Sequence, residues 1–340
     1  MRRLLERAAA AFGGLEARYR IGKLGPFEPT QFVWSRGLAL LCDHNGGVEF
    51  VRGQRGGRAA LRFEARLFDQ VRDGDLVWVR LIALPQFLEE ALPRIRARFA
   101  LVTGDEDWSI PSSWNRCSEI LADPRVEFWF TQNLDDPAAS PKLQPLPIGV
   151  DFHTISNGRK WGHEQATPRE QEAELVELRS QMPATEQRLL RAHADFHFNK
   201  HKHNTWGDDR SLVEALLRPN RLVQFQDQKL RRIELWREKT RFAFVVSPHG
   251  NGLDCHRTWE SLLLGNIVIV KSSSLDSLYT GLPVVIVADW SEITESNLSR
   301  WHAEHAPAFG RPEMAERLTN EYWIERMRKM LAERLNGRKT

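Results

Sequence analysis

The chain has 340 residues, 41% of them hydrophobic and 27% charged, which excludes a disordered chain and exceeds what one hydrophobic core usually organises, so two domains are expected. Its 48 basic and 45 acidic residues leave a net charge of +3, too balanced for a nucleic-acid binder recognised by its field. No stretch approaches the roughly 18 uninterrupted apolar residues of a membrane span.

The opening carries Arg2, Arg3, Arg7, Arg18 and Arg20, the marks of a basic helix. A solvated outer face is the first reading, and peripheral contact with an anionic membrane surface the lesser one. Strands are then predicted at 38–42, 76–79, 99–103 and 126–130, with a helix at 85–98, giving a first α/β domain over 1–151. The polar segment 152–187 reads as a linker in which Thr167-Pro168-Arg169-Glu170 has the cap-then-proline pattern of a helix start. From 188 to 311, strands at 190–198, 222–225, 242–246, 267–270 and 284–287 alternate with helices at 211–217, 229–239, 256–264 and 275–279. Such alternation feeds a parallel sheet. The last stretch, 312–340, is a helix that can cross back to the first domain. Cys42, Cys117 and Cys255 are odd in number and lack metal-ligand spacing, so reduced thiols and a cytoplasmic setting are expected. The fold class that results is α/β, with two Rossmann-like domains facing a cleft.

The most informative segment runs from Phe242 to Gly265 as a buried strand, a glycine-rich loop and a helix. That order makes an anion site, because glycines let a ligand approach the backbone while the helix start offers free N–H groups and a positive dipole end. Ser247, His249, Gly250, Asn251, Gly252, Asp254, His256, Arg257 and Glu260 crowd the C-terminal end of this strand, where open α/β sheets bind ligands. Arg257 suits a bidentate pairing with a diphosphate, His249 and His256 add donors, and Glu260 could accept from ribose hydroxyls.

Ser247-Pro-His-Gly250, followed by Arg257, Glu260 and Gly265-Asn-Ile-Val-Ile269, resembles the donor-binding segment of exostosin-like glycosyltransferases. The likeness extends from 242 to 290 and, more loosely, to 189–210, where His197, Asn199 and Arg210 fall on the family's pattern; Val268 stands where the family usually has proline. The resemblance implies a GT-B fold, a nucleotide-sugar donor, a glycan or lipid-linked acceptor, inverting transfer without a required metal, and Arg257 and His249 stabilising the departing diphosphate.

An inverting transfer needs a base from the first lobe. The shortlist is Asp105 and Asp107, after the strand at 99–103, and Asp43 and His44, after the run at 38–42. Asp105-Glu-Asp107 also has the spacing by which two carboxylates share Mg²⁺ or Mn²⁺, as does Asp73-Gly-Asp75, but the pattern is short and a metal is not favoured. His193, Asp195 and His197 would share one face of a strand and could ligate zinc or iron; the lysines among His201 and His203 argue instead for phosphate. Trp108, beside Asp105, is a candidate platform for a sugar ring. Three alternatives stay open: a sugar-nucleotide epimerase or hydrolase, a non-catalytic phosphoglycan-binding protein, and a histidine-ligated metalloenzyme.

Overall fold

The computed structural model describes residues 30–53, 62–196 and 210–337. Its first half builds a parallel sheet in the order β1-β2-β3-β4 from β1 (Leu76–Arg80), β2 (Phe99–Gly104), β3 (Val126–Thr131) and β4 (Leu143–Pro145). Leu76 pairs with Ala100 and Leu101 with Trp129. The residues of β1 to β3 are buried throughout, as expected for parallel strands covered on both faces.

The run at 38–42 is not a strand. It belongs to helix α1 (Ser35–Leu41), where Ser35 through Leu40 are all buried. A short apolar run enclosed on every side has no periodicity to separate strand from helix, and its leucines and alanine favour the helix. The helix expected at 85–98 stops at Arg94 and is irregular, passing through Leu84–Gln86, Phe87–Ala91 and Leu92–Arg94. Pro85 and Pro93 deprive its ladder of two donors. Short helices α2 (Val48–Arg52), α3 (Cys117–Ala122) and α4 (His153–Ser156) complete this half.

The polar segment after it contains α5 (Pro168–Gln181), started by a full capping box in which Thr167 and Glu170 satisfy each other's backbone N–H groups. The second half is a five-stranded parallel sheet of β5 (Leu189–Ala194), β6 (Val223–Phe225), β7 (Phe242–Val246), β8 (Ile267–Lys271) and β9 (Val284–Val287), in the order β6-β5-β7-β8-β9. Helices α6 (Arg210–Leu217), α7 (Arg232–Lys239), α8 (His256–Leu263) and α9 (Glu295–His305) connect or flank these strands. The chain therefore holds two parallel α/β sheets, the class expected. The strand order reverses between β5 and β7, which makes the crevice above their C-terminal ends the natural ligand position.

Side-chain alternation along β8 divides two cores. Ile267 and Ile269 pack with Phe244, Trp290 and Leu298, whereas Val268 and Val270 join a core that runs into the first lobe. After α10 (Pro312–Glu316), the terminal helix α11 (Asn320–Gly337) packs against α1 and β3, and its Trp323, Met327 and Leu331 lie in that same core. Among the described residues no helix is long and apolar enough to cross a membrane.

Glycine is required where the lobes meet. Gly149 has φ +69° and its backbone bridges Trp34; a Cβ there would overlap the Val33 carbonyl. Nearby, one oxygen of Glu172 on α5 accepts the backbone N–H groups of Gln31 (2.7 Å) and Phe32 (2.8 Å). Burial nevertheless dominates and pushes its carboxyl up to about 7, from an ordinary 4.5. A raised carboxyl contributes stability that is complete below the unfolded value near 4.5 and lost as pH rises through 7. Glu172→Gln keeps an acceptor but no charge. We expect it to flatten that fall and to be more stable than wild type above pH 7 by about 1–3 kcal/mol, the solvent-discounted equivalent of the shift. Urea titrations at pH 5 and 8 read this, and equal wild-type stability at both would refute it.

Candidate functional site

A cleft of about 1020 Å³ opens between the lobes. From the second lobe it is walled by Asp195 after β5, Lys229 to Arg232 before and at the start of α7, Asn251 in the glycine loop, and His256, Arg257 and Glu260 on α8; from the first it is walled by Asp107, Ile148 and Asp151. Strand ends of both sheets thus converge on it.

Its floor is an ion cluster. Asp195, with its side chain 4% exposed, receives Lys239 Nζ on one oxygen at 2.7 Å and Arg257 Nε on the other at 2.8 Å. Burial pushes the Asp195 carboxyl up, but the two cations outweigh it and hold it well below the carboxylate range. Arg257 also donates through Nη1 to Ser247 Oγ at 3.4 Å and stacks 5.8 Å from the Phe196 ring. Arg210 opens α6 and donates to the His249 carbonyl at 2.8 Å. Among the described residues, Arg210, Lys239 and Arg257 thus gather around the Asp195 carboxylate, donors of the kind that recognise an anion. On the neighbouring wall Glu260 meets Arg232 at 3.4 Å and accepts Trp236 Nε1–H at 3.1 Å.

Several expected roles meet a different geometry. Ser247 is buried and shares a 2.9 Å hydrogen bond with Thr258 Oγ1. The His249 ring is buried and its Nδ1 engages the Leu253 carbonyl at 2.9 Å, so the loop itself takes it up. A Cβ on Gly250 would crowd Arg210 at 2.8 Å and one on Gly252 would crowd the Asn133 side chain at 2.6 Å; these glycines admit protein neighbours, one of them from the other lobe. Asp254 is a seam residue. Its Oδ2 accepts from Ile148 N–H and Trp259 Nε1–H, its backbone N–H donates to Asn133 Oδ1, and burial pushes its carboxyl up. Asn251 is exposed at the cleft rim. His197 and Asn199 lie outside the described residues.

In the first lobe, Asp43 and His44 lie at the wrong end of the sheet, because the run before them is a helix. Asp43 pairs with Arg328 at 2.9 Å, and His44 pairs with Asp75 at 2.9 Å beside the N-terminal end of β1. Asp105 has φ +67° and lies 3% exposed between Arg80 (2.6 Å) and Arg36 (3.2 Å); burial pushes its carboxyl up, but the two guanidiniums outweigh this and hold it below the ordinary carboxylate value. Asp107 alone of this shortlist lines the cleft, so the Asp105 and Asp107 carboxylates serve different surroundings. Asp73 pairs with Arg98, far from the cleft end of β1. Trp108 is partly buried against the first-lobe core and is not a cleft residue. His193 is wholly buried, stacked 5.3 Å from Phe242, while Asp195 is taken by two cations, so these two do not form a metal pair.

Sequence reasoning missed Lys239, Arg232, Asp151 and His153. Asp151 Oδ1 lies 3.0 Å from His153 Nδ1, and His256 approaches the same place, its ring 5.5 Å from that of His153. Asp151 raises the His153 imidazole despite the opposing effect of burial. A signal for them exists. Gly149-Val-Asp151-Phe-His153 and Gly252-Leu-Asp254-Cys-His256 repeat one Gly-x-Asp-x-His pattern, and the two copies meet where His256 Nδ1 contacts the Gly149 carbonyl at 2.7 Å.

No family model matches the chain, and no curated protein matches it. Among solved structures it is similar to a UDP-forming α,α-trehalose-phosphate synthase from Burkholderia vietnamiensis, at 11% identity over 87% of this chain and 84% of that one, with a TM-score of 0.39. A glycosyltransferase from Rickettsia africae gives 11% identity, 83% of each chain and a TM-score of 0.36. The E. coli trehalose-6-phosphate protein bound with UDP-2-fluoro glucose gives 13% identity over 82% of this chain and 76% of that one, at 0.31. Likenesses at these scores carry no argument about donor, acceptor or mechanism.

Proposed function

We propose that this chain is a glycosyltransferase that binds a nucleotide sugar in the interlobe cleft and transfers the sugar to a hydroxyl acceptor presented by the first lobe. The carrying observation is the cluster of Arg210, Lys239 and Arg257 around Asp195 at the reversal point of the second sheet, beside the N-terminus of α8. Fixed cations in a partly desolvated crevice meet the charge that grows on a departing diphosphate, so the leaving group needs no metal of its own. Asp107, the shortlisted base that faces the cleft, would take the acceptor proton in an inverting transfer. Glu260, held by Arg232 and Trp236, would orient the nucleoside ribose. The acceptor is a glycan or a lipid-linked hydroxyl, and a glycan pathway in the cytoplasm is the setting this reading implies.

A thermal-shift screen against UDP, GDP, CMP, dTDP and ADP tests the donor site. A ligand bound only by the native state adds about 2.7 kcal/mol of stability at 100 times its Kd, so one nucleotide is expected to raise Tm by several degrees. No shift with any of them would remove the basis of the reading. Release of nucleoside diphosphate that depends on added acceptor then separates transfer from epimerisation, hydrolysis or simple glycan binding.

A further inference from the structure

We propose that Asp151, His153 and His256 form a site for a borderline divalent cation of the zinc type at the seam between the lobes. One ligand atom from each residue lies within 4.8 Å of the other two, close enough for small side-chain movements to bring all three onto one ion. Two imidazoles and a carboxylate are a donor set that zinc-type ions take and that magnesium does not favour.

The surroundings are those of a metal site. His256 Nδ1 contacts the Gly149 carbonyl at 2.7 Å, which puts a proton on Nδ1 and leaves Nε2 as the nitrogen that would ligate; imidazole ligands are commonly held in this way. Asp151 Oδ1 accepts the Thr154 N–H at 2.9 Å, which holds the carboxylate. Asp151 and His256 both line the cleft, so an ion on three protein ligands would keep a coordination position towards it, the arrangement of open rather than closed zinc sites.

Charge opposes the site only weakly. The nearest guanidiniums have carboxylate partners, Arg36 with Asp105 and Arg232 with Glu260. His256 is the first residue of α8, and a helix N-terminus disfavours a cation by roughly two- to fivefold, whereas ligation by nitrogen and carboxylate supplies many orders of magnitude. Because Asp151 and His153 follow the first sheet and His256 belongs to the second half, a bound ion would clamp the two lobes across the cleft.

The test uses the full-length, tag-free protein stripped with a chelator and titrated calorimetrically with zinc chloride. One equivalent is expected to bind, with affinity falling at least tenfold in His153→Ala and in Asp151→Asn. Cobalt(II) added to the wild type should give the visible absorption of a four- or five-coordinate ion, a readout independent of whether either variant folds. Sub-stoichiometric zinc binding by the wild type, or affinity unchanged in both folded variants, would overturn the assignment. Replacing His197, His201 and His203 together is expected to leave the stoichiometry at one; loss of binding there would place the ion on those histidines instead. The nucleotide screen is read separately, so its failure and that of the cation site are distinguishable.

Discussion

Arg257→Ala is expected to lower kcat/KM for the nucleotide-sugar donor by about 10²–10³ and to abolish the rise in Tm on adding the cognate nucleotide, the scale seen when a fixed donor to developing negative charge is removed. The geometry makes this a loss of function more than of fold. A guanidinium carries five N–H donors in a rigid fork; Arg257 uses Nε on Asp195 and Nη1 on Ser247, contacts that aim the group at the cleft it lines. When Arg257 is removed, Asp195 retains Lys239 at 2.7 Å, so no buried carboxylate is left unpaired and the unliganded Tm should move little. Arg257→Lys keeps the charge without the fork and should recover only part of the loss. Nucleotide stabilisation equal to wild type in both variants would remove Arg257 from the donor site.

How far this site could be read from sequence differed by element. β7 and β8 were legible because their apolar runs, bounded by Ser247 and Gly265, are rich in the β-branched and aromatic residues that favour a strand, and the observed strands Phe242–Val246 and Ile267–Lys271 differ from expectation by one residue at most. The run before Cys42 was not legible, since a helix buried all round and a buried strand present the same pattern over five residues. That one ambiguity carried Asp43 and His44 into the shortlist, although both lie at the opposite end of the sheet from the cleft. The strand β4 is three residues long and ends at Pro145, too short to give a period, and without it Asp151 falls at the very end of the first domain and His153 in the segment that reads as linker. The glycine loop was found, but the task of its glycines was hidden: sequence cannot show that Gly252 makes room for Asn133, 119 positions earlier in the chain. Nor can it show that His249 turns inward.

Asp195→Asn should cost about 3–5 kcal/mol of folding stability, the largest loss expected of any substitution considered. The side chain of Lys239 is 1% exposed and its Nζ lies 2.7 Å from Asp195; an asparagine of the same shape leaves that ammonium buried without a counter-charge, the costly case for an internal ion pair. The dependence on pH has a definite sign. The folded carboxyl lies well below its ordinary 3.8, and a depressed carboxyl contributes stability that is present above the unfolded value and lost as pH falls through the folded one. Wild type should therefore lose this contribution only in strong acid, whereas the variant lacks it throughout and shows a flatter acid limb. The double variant Asp195→Asn, Lys239→Met removes both charges and should regain most of the stability, because replacing a buried pair by groups of similar volume is close to neutral. It should not regain nucleotide binding, since Arg257 then has no carboxylate to aim it. Urea titration of the single and double variants separates these effects: a single variant within about 0.5 kcal/mol of wild type, the range of an ordinary surface change, would show that the pair does not anchor the cleft.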